Sequence, residues 1–172
     1  MDIAQRLAAQ DPDNTGWQRD LSISHERLGD IAIAQGDLPA AHAAFQNALD
    51  IRERLAAQDP DNADWQRDLS VSHIKFGDIA RAQDDLPAAR TAYQNALDIA
   101  KRLAAQDPDN AGWQRDLMVS YYQLALLGGD DEQAHWDKAY LTLKALDTAG
   151  KMLPTDQGAL ELLKSKWSGA GQ

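Results

Sequence analysis

The sequence predicts an all-α solenoid of stacked antiparallel helix pairs, about three repeats long and closed by a C-terminal capping helix. Three observations carry that expectation. The stretch LAAQDPDN-x-x-WQRDL occurs at residues 7–21, 55–69 and 103–117, which sets Trp17, Trp65 and Trp113 48 residues apart. Residues 3–50 agree with 51–98 at 35 of 48 positions, and 99–120 agree with 51–72 at 18 of 22. Within each copy, apolar residues recur at helical spacing and break off only at Pro, Gly and Asp. A fixed period of roughly 20–50 residues marks a repeat architecture, in which each unit buries its apolar face against its neighbours.

Residues 2–10 match the closing turns of the helices expected at 50–58 and 98–106, so the chain opens on a half-helix, residues 1–10, which reads either as a minimal N-terminal cap or, the favoured reading, as cut from a longer array. Asp11-Pro12-Asp13-Asn14 then ends one helix and begins the next, because proline is excluded from a helix interior and Asp or Asn caps a helix start. The first helix of repeat 1 follows over 15–35, with Trp17, Leu21, Leu28, Ile31 and Ala32 on one side. Gly36-Asp37 breaks it, and Pro39 stands in the first turn of a second helix. That helix carries Leu38, Ala41, Phe45, Ala48, Leu49 and Leu55 as its apolar stripe, and repeat 1 closes at residue 58.

Repeat 2, 59–106, follows the same plan with Asp84-Asp85-Leu86-Pro87 at its turn. Repeat 3, 107–153, is degenerate: its first helix is expected over 111–127, and its second over 133–153 after Gly128-Gly129-Asp130-Asp131. Anchoring on Ala145-Leu146-Asp147 shifts that repeat by 49 residues, and anchoring on Pro154 shifts it by 46. Under the second anchor, residues 154–167 are a degraded copy of 108–121 and form the capping helix, leaving 168–172 as a frayed tail.

The 172 residues are 44% hydrophobic, enough for one short repeat array, and much of that fraction is Ala and Leu. A net charge of −10 argues against nucleic acid, whose binding needs cations that displace phosphate counterions, and against an anionic membrane surface. It favours a protein or peptide partner of basic or mixed charge. The absence of cysteine removes disulfides and thiol chemistry. The opening MDIAQRLAAQD has no apolar run and nowhere do 18 apolar residues adjoin, so the expected location is the cytoplasm.

Within repeat 1 the run Leu28-Gly29-Asp30, Gln35-Gly36-Asp37-Leu38, Ala41, Phe45, Ala48-Leu49 and Pro60 resembles a tetratricopeptide repeat. Repeat 2 shows it as Phe76-Gly77-Asp78, Asp85-Leu86, Ala89, Tyr93, Ala96-Leu97 and Pro108. Small residues at Gly29 and Ala41, or Gly77 and Ala89, let two helices approach closely, with the aromatic ring beside them. The usual unit is about 34 residues, so this one adds roughly two turns to each helix. Repeat 3 departs from the pattern, with Ala125 for the glycine and Leu126 for the aspartate. The resemblance implies a right-handed solenoid, and the WQRDLS opening is similar to long-helix arrays of bacterial multidomain proteins. It also implies that the first helix of each repeat lines a concave groove that holds a peptide.

By that resemblance the groove stripe reads Arg19, Ile23, Glu26, Asp30, Ile33 in repeat 1. Its copies are Arg67, Val71, Ile74, Asp78, Arg81 in repeat 2 and Arg115, Val119, Tyr122, Leu126, Gly129 in repeat 3. Glu26/Ile74/Tyr122 and Ile33/Arg81/Gly129 exchange charge for apolar groups, as a surface shaped to one partner would, although drift on a solvated face gives the same pattern. Relatives that clamp a C-terminal carboxylate use Lys, Asn and Arg on this face; Asp30 and Asp78 oppose that activity here. Trp17, Trp65 and Trp113 could stack a ligand, but their constancy just after a cap suits packing between helix pairs. Arg19-Asp20 and its copies suit a repeated inter-repeat ion pair.

His25 and His73 occupy equivalent positions, where repeat 3 has Tyr121, and a position filled by either residue suits packing rather than metal ligation. Asp11-x-Asp13-x-Thr15-Gly16 opens like a calcium loop, yet Ser22 stands where the bidentate Glu belongs. No phosphate loop, nucleophile elbow or zinc-protease motif occurs, so neither a cofactor nor an enzymatic activity is expected. The leading expectation is a peptide-binding module. The rival is a structural spacer without a ligand, and self-association through Ile3 and Leu7 at the N-terminal end accompanies either.

Overall fold

The computed structural model describes residues 3–169. Eight α-helices occur among them: α1 (Ile3–Gln10), α2 (Thr15–Ala34), α3 (Leu38–Gln58), α4 (Ala63–Ala82), α5 (Leu86–Gln106), α6 (Ala111–Leu126), α7 (Glu132–Thr148) and α8 (Gln157–Lys166). A 3-10 turn, Pro154–Asp156, leads into α8. The fold is an all-α helical repeat, and none of these helices is long and apolar enough to cross a membrane.

The repeated motif acts first through its caps. Asn14, Asn62 and Asn110 precede α2, α4 and α6, and each side-chain oxygen accepts from a tryptophan backbone N–H, at 3.0, 3.1 and 3.2 Å. Asp37 and Asp85 do the same for α3 and α5, accepting from Ala40 and Ala88 at 3.0 Å. Each such cap satisfies a donor that the helix cannot, worth about 1 kcal/mol. The turn between α2 and α3 places Gly36 at φ 74°, and its counterpart in the next turn is Asp84 at φ 62°.

The chain forms two compact units, Met1–Ala92 and Tyr93–Gln172. In the first, α2 and α3 pair, and α3 packs on α4. Ala32, Ala41, Phe45 and Ile79 form one core cluster in it, with Leu38 against them. Gly29 is what lets α3 come so near: a Cβ there would lie 2.6 Å from Phe45 Cε1. In the second unit α6 pairs with α7 and α8 packs on α7, burying Leu124, Leu143 and Leu163.

The C-terminal region differs from expectation in three ways. The second helix of the third pair ends at Thr148 and not at residue 153, because Gly150 at φ 69° turns the chain into a C-terminal cap. Lys151 N–H reaches back to the Leu146 carbonyl at 2.9 Å and Gly150 N–H to that of Asp147 at 3.0 Å. The stretch 154–167 is a 3-10 turn followed by α8, and α8 begins at Gln157, which a shift of 46 equates with Ala111 at the start of α6. Ser168 is not frayed: its N–H and its hydroxyl both donate to Asp137, and Trp167 stacks on Tyr140 at 4.7 Å. Residues 170–172 of the expected tail lie outside the described residues.

Candidate protein-binding surface

The first helices are held in place by a residue the pattern hides. Gln18, Gln66 and Gln114, each just after the repeated tryptophan, donate from Nε2 to the carbonyls of Ala8, Ala56 and Ala104 at 3.3, 3.4 and 3.4 Å. Gln18 and Gln66 are buried, whereas Trp17, Trp65 and Trp113 are only half-buried. The enclosed contact at the foot of α2 and of α4 is therefore polar and directional, and the indole stands at its margin.

In the first unit α2 and α4 are laced together at two levels. Arg19 Nε meets Asp68 Oδ2 at 2.6 Å, and Lys75 Nζ meets Asp30 Oδ1 at 2.6 Å. The hydrogen bond to Asp68 outweighs partial burial and raises the Arg19 pKa above its ordinary value. Between the two laces the charged groups are joined from below by Arg52 of α3, only 4% exposed. Its Nη1 donates to Glu26 Oε2 at 2.6 Å, to Ser72 Oγ at 2.8 Å and to the Asp68 carbonyl at 3.2 Å, while Nε donates to Ser22 Oγ at 3.2 Å. A buried guanidinium is tolerated only with its donors met, and here one cation fastens three helices.

The groove residues expected from the sequence thus have unequal roles. Arg19, Glu26 and Asp30 are spent on ion pairs inside the unit. Ile23, Val71, Ile74 and Asp78 are half-buried, and Ile33, Arg67 and Arg81 are exposed. In the second unit Arg115 bonds Asp156 at 2.8 Å and the Lys151 carbonyl, which ties α6 to the approach to α8. Tyr122 is half-buried and edge-on to Trp136 at 5.6 Å, and Val119 and Leu126 are exposed. Gly129 sits in the turn after α6 with φ 101°. Gly77 is buried like Gly29, and Ala41 and Ala89 have no exposed surface.

Arg52 was the residue that sequence reasoning missed, and a signal for it was present. Where repeat 1 has Glu26 and Arg52, repeat 2 has Ile74 and Ala100: the carboxylate and the cation vanish together. The exchange at Glu26/Ile74 accordingly has an internal cause as well as any external one.

Among the described residues, no group of three or more His, Asp or Glu side chains is placed to hold a metal ion. No curated protein matches the chain. Residues 26–61, which span the end of α2, all of α3 and the turn beyond it, match the family described as tetratricopeptide repeat. A close-packed hairpin built on Gly29, Ala41 and Phe45 coincides with that match, and residues 26–61 are thereby identified as a tetratricopeptide repeat.

Proposed function

We propose that the protein is the recognition module of a larger, cytoplasmic bacterial protein, and that α2 and α4 receive an extended peptide of basic or mixed charge. Tetratricopeptide repeats are in general protein-interaction modules and not enzymes. The observation that carries the finer reading is the laced pair of first helices. Arg19–Asp68 and Asp30–Lys75 fix α2 beside α4, while Ile23, Val71 and Ile74 remain half-exposed between the laces and Ile33 and Arg81 lie open beyond them. Fixed, partly apolar relief of this kind lets a peptide bind without first ordering its receptor. With most of the stripe's charge already paired, the apolar side chains supply the contact and the net charge of −10 supplies the long-range preference for cations.

The test is a peptide array of basic, mixed and acidic extended sequences, followed by titration of the binders against an Ile33→Ser, Ile74→Ser, Arg81→Ala variant. Basic or mixed peptides are expected to bind, and the variant to lose at least about tenfold in affinity, or roughly 1.4 kcal/mol, with its helical circular dichroism intact. Unchanged affinity would place the ligand elsewhere, and the absence of any binder would leave the spacer role.

A further inference from the structure

Burial aligns α7 with α5 at an advance of 47 residues: Tyr93, Ala96 and Ile99 are buried, and so are Tyr140, Leu143 and Leu146. Two positions break the match. Leu97 and Ala100 are each 1% exposed, and in their places stand Lys144, which is exposed, and Asp147, which is half-buried. The facing helix adds charge to the same region. A shift of 46 carries the buried Met118 of α6 onto Lys164 of α8, and Arg115 onto Glu161. Where apolar side chains would close the space, α7 and α8 flank a cleft of about 300 Å³, the lower end of the range for small-molecule sites.

The buried part of its lining is fixed in place. Tyr140 and Leu160 line the cleft and are 7% and 8% exposed. The Tyr140 ring stacks on Trp167 at 4.7 Å, and Asp137, just before it on α7, accepts from the Ser168 N–H at 2.9 Å and from the Ser168 hydroxyl at 2.5 Å. The walls carry two charges of each sign. Lys144 and Asp147 hold each other at 2.7 Å. Glu161 and Lys164 are not paired in that way. Among the described residues Lys164 meets no carboxylate, Glu161 accepts only a long 3.4 Å bond from Gln157, and the Tyr140 hydroxyl has no hydrogen-bond partner. Residues three apart on a helix are neighbours on its surface, so Glu161 and Lys164 present an anion and a cation side by side.

We propose that the α7–α8 cleft binds a free α-amino acid. The ligand's ammonium meets the Glu161 carboxylate, its carboxylate meets the Lys164 ammonium and the Tyr140 hydroxyl, and its side chain lies on Leu160 and the Tyr140 ring. The charge pattern selects against simpler ions. An inorganic anion would face Asp147 and Glu161 as well as the lysines, and a simple cation would face Lys144 and Lys164. A zwitterion with both charges attached to one carbon satisfies the unpaired anion and the unpaired cation together. The site lies in the second compact unit and uses no residue of the peptide-binding stripe.

The test is calorimetric titration of the full chain with each free protein amino acid, with the N-acetyl and carboxamide forms of any that bind, and with inorganic phosphate. At least one amino acid is expected to bind with a Kd at or below about 1 mM. Acetylation and amidation, which each remove one charge, are each expected to weaken it at least about tenfold, and phosphate is expected not to bind. Lys164→Met and Glu161→Gln are expected to cost at least about tenfold, and Tyr140→Phe about threefold or more. Lys164 and Glu161 are exposed, and phenylalanine keeps the ring against Trp167, so all three variants are expected to retain their helical circular dichroism. No binding by any amino acid, or binding unchanged in the Lys164→Met and Glu161→Gln variants, would overturn the proposal. So would an N-acetyl form that binds as tightly as its parent, in favour of a carboxylate site, or phosphate binding that Lys164→Met abolishes, in favour of an anion site.

Discussion

Glu26 on α2 closes a 2.6 Å ion pair with Arg52 of α3, and repeat 2 replaces the two residues together by Ile74 and Ala100. Removing Glu26 alone leaves the buried Arg52 cation without its carboxylate. Glu26→Ala is expected to cost about 2 kcal/mol, since Arg52 keeps its two serine hydroxyls and the Asp68 carbonyl but loses its carboxylate. The Glu26→Ile, Arg52→Ala double variant, which copies repeat 2, is expected within about 1 kcal/mol of the parent. Urea unfolding of the parent, both single variants and the double variant measures the coupling; single-variant losses that simply add would show that there is none.

Asp84 occupies the left-handed position that Gly36 fills in the preceding turn. A residue with a Cβ is strained there, and at this site the carboxylate also adds to a net charge of −10. Asp84→Gly is therefore expected to stabilise by about 0.5–1 kcal/mol, despite the greater freedom of glycine in the unfolded chain. Thermal melting checks it, and an unchanged or lower midpoint would mean that Asp84 makes compensating contacts.

Gly29 and Gly158 are both helical glycines in opposite surroundings. A Cβ on Gly29 would press into the Phe45 ring, whereas one on Gly158 would meet nothing within 4 Å. Gly29→Ala is expected to destabilise by about 1–3 kcal/mol through overpacking, and Gly158→Ala to stabilise by up to about 1 kcal/mol through helix propensity. The opposite signs, read from denaturant midpoints, test the close approach of α2 to α3.

Burial lowers the pKa of His73 below its ordinary 6.5. The unfolded chain then takes up a proton that the native state resists, so this residue's contribution is complete above about pH 6.5 and is lost as pH falls through the lowered value. Repeat 3 has Tyr121, also buried, at the equivalent position. His73→Tyr is expected to flatten the fall in unfolding free energy between about pH 7 and pH 5 relative to the parent. Urea midpoints at several pH values decide it, and an equally steep fall in the variant would assign the dependence to another group.

Several features were legible in the residues because the forces behind them act within a few positions of the chain. The period of 48, the Asp-Pro-Asp-Asn junctions, the Asn and Asp caps and the Gly29–Phe45 approach all follow from local turn chemistry or from side-chain size at helical spacing. The early end of α7 was legible too: Gly150 after Thr148 and Ala149 is a helix-stop signal, and the apolar spacing that continues past it to Leu153 concealed it.

Other features depended on which helices meet. That the glutamine after each tryptophan reaches a carbonyl of the preceding helix, that Ser168 fastens on Asp137, and that Arg52 gathers α2, α3 and α4 are contacts over 10, 31 and up to 30 residues of sequence. A repeat reports that a position is constant, not which neighbour it faces. Leu28 and Ile31 show why most plainly. They have the same apolar character and helical spacing as Phe76 and Ile79, yet α3 lies across the second pair, which makes Ile79 core and Phe76 half-buried while Leu28 and Ile31 stay at the surface. Burial is a property of two surfaces brought together, and the sequence of one surface alone does not contain it.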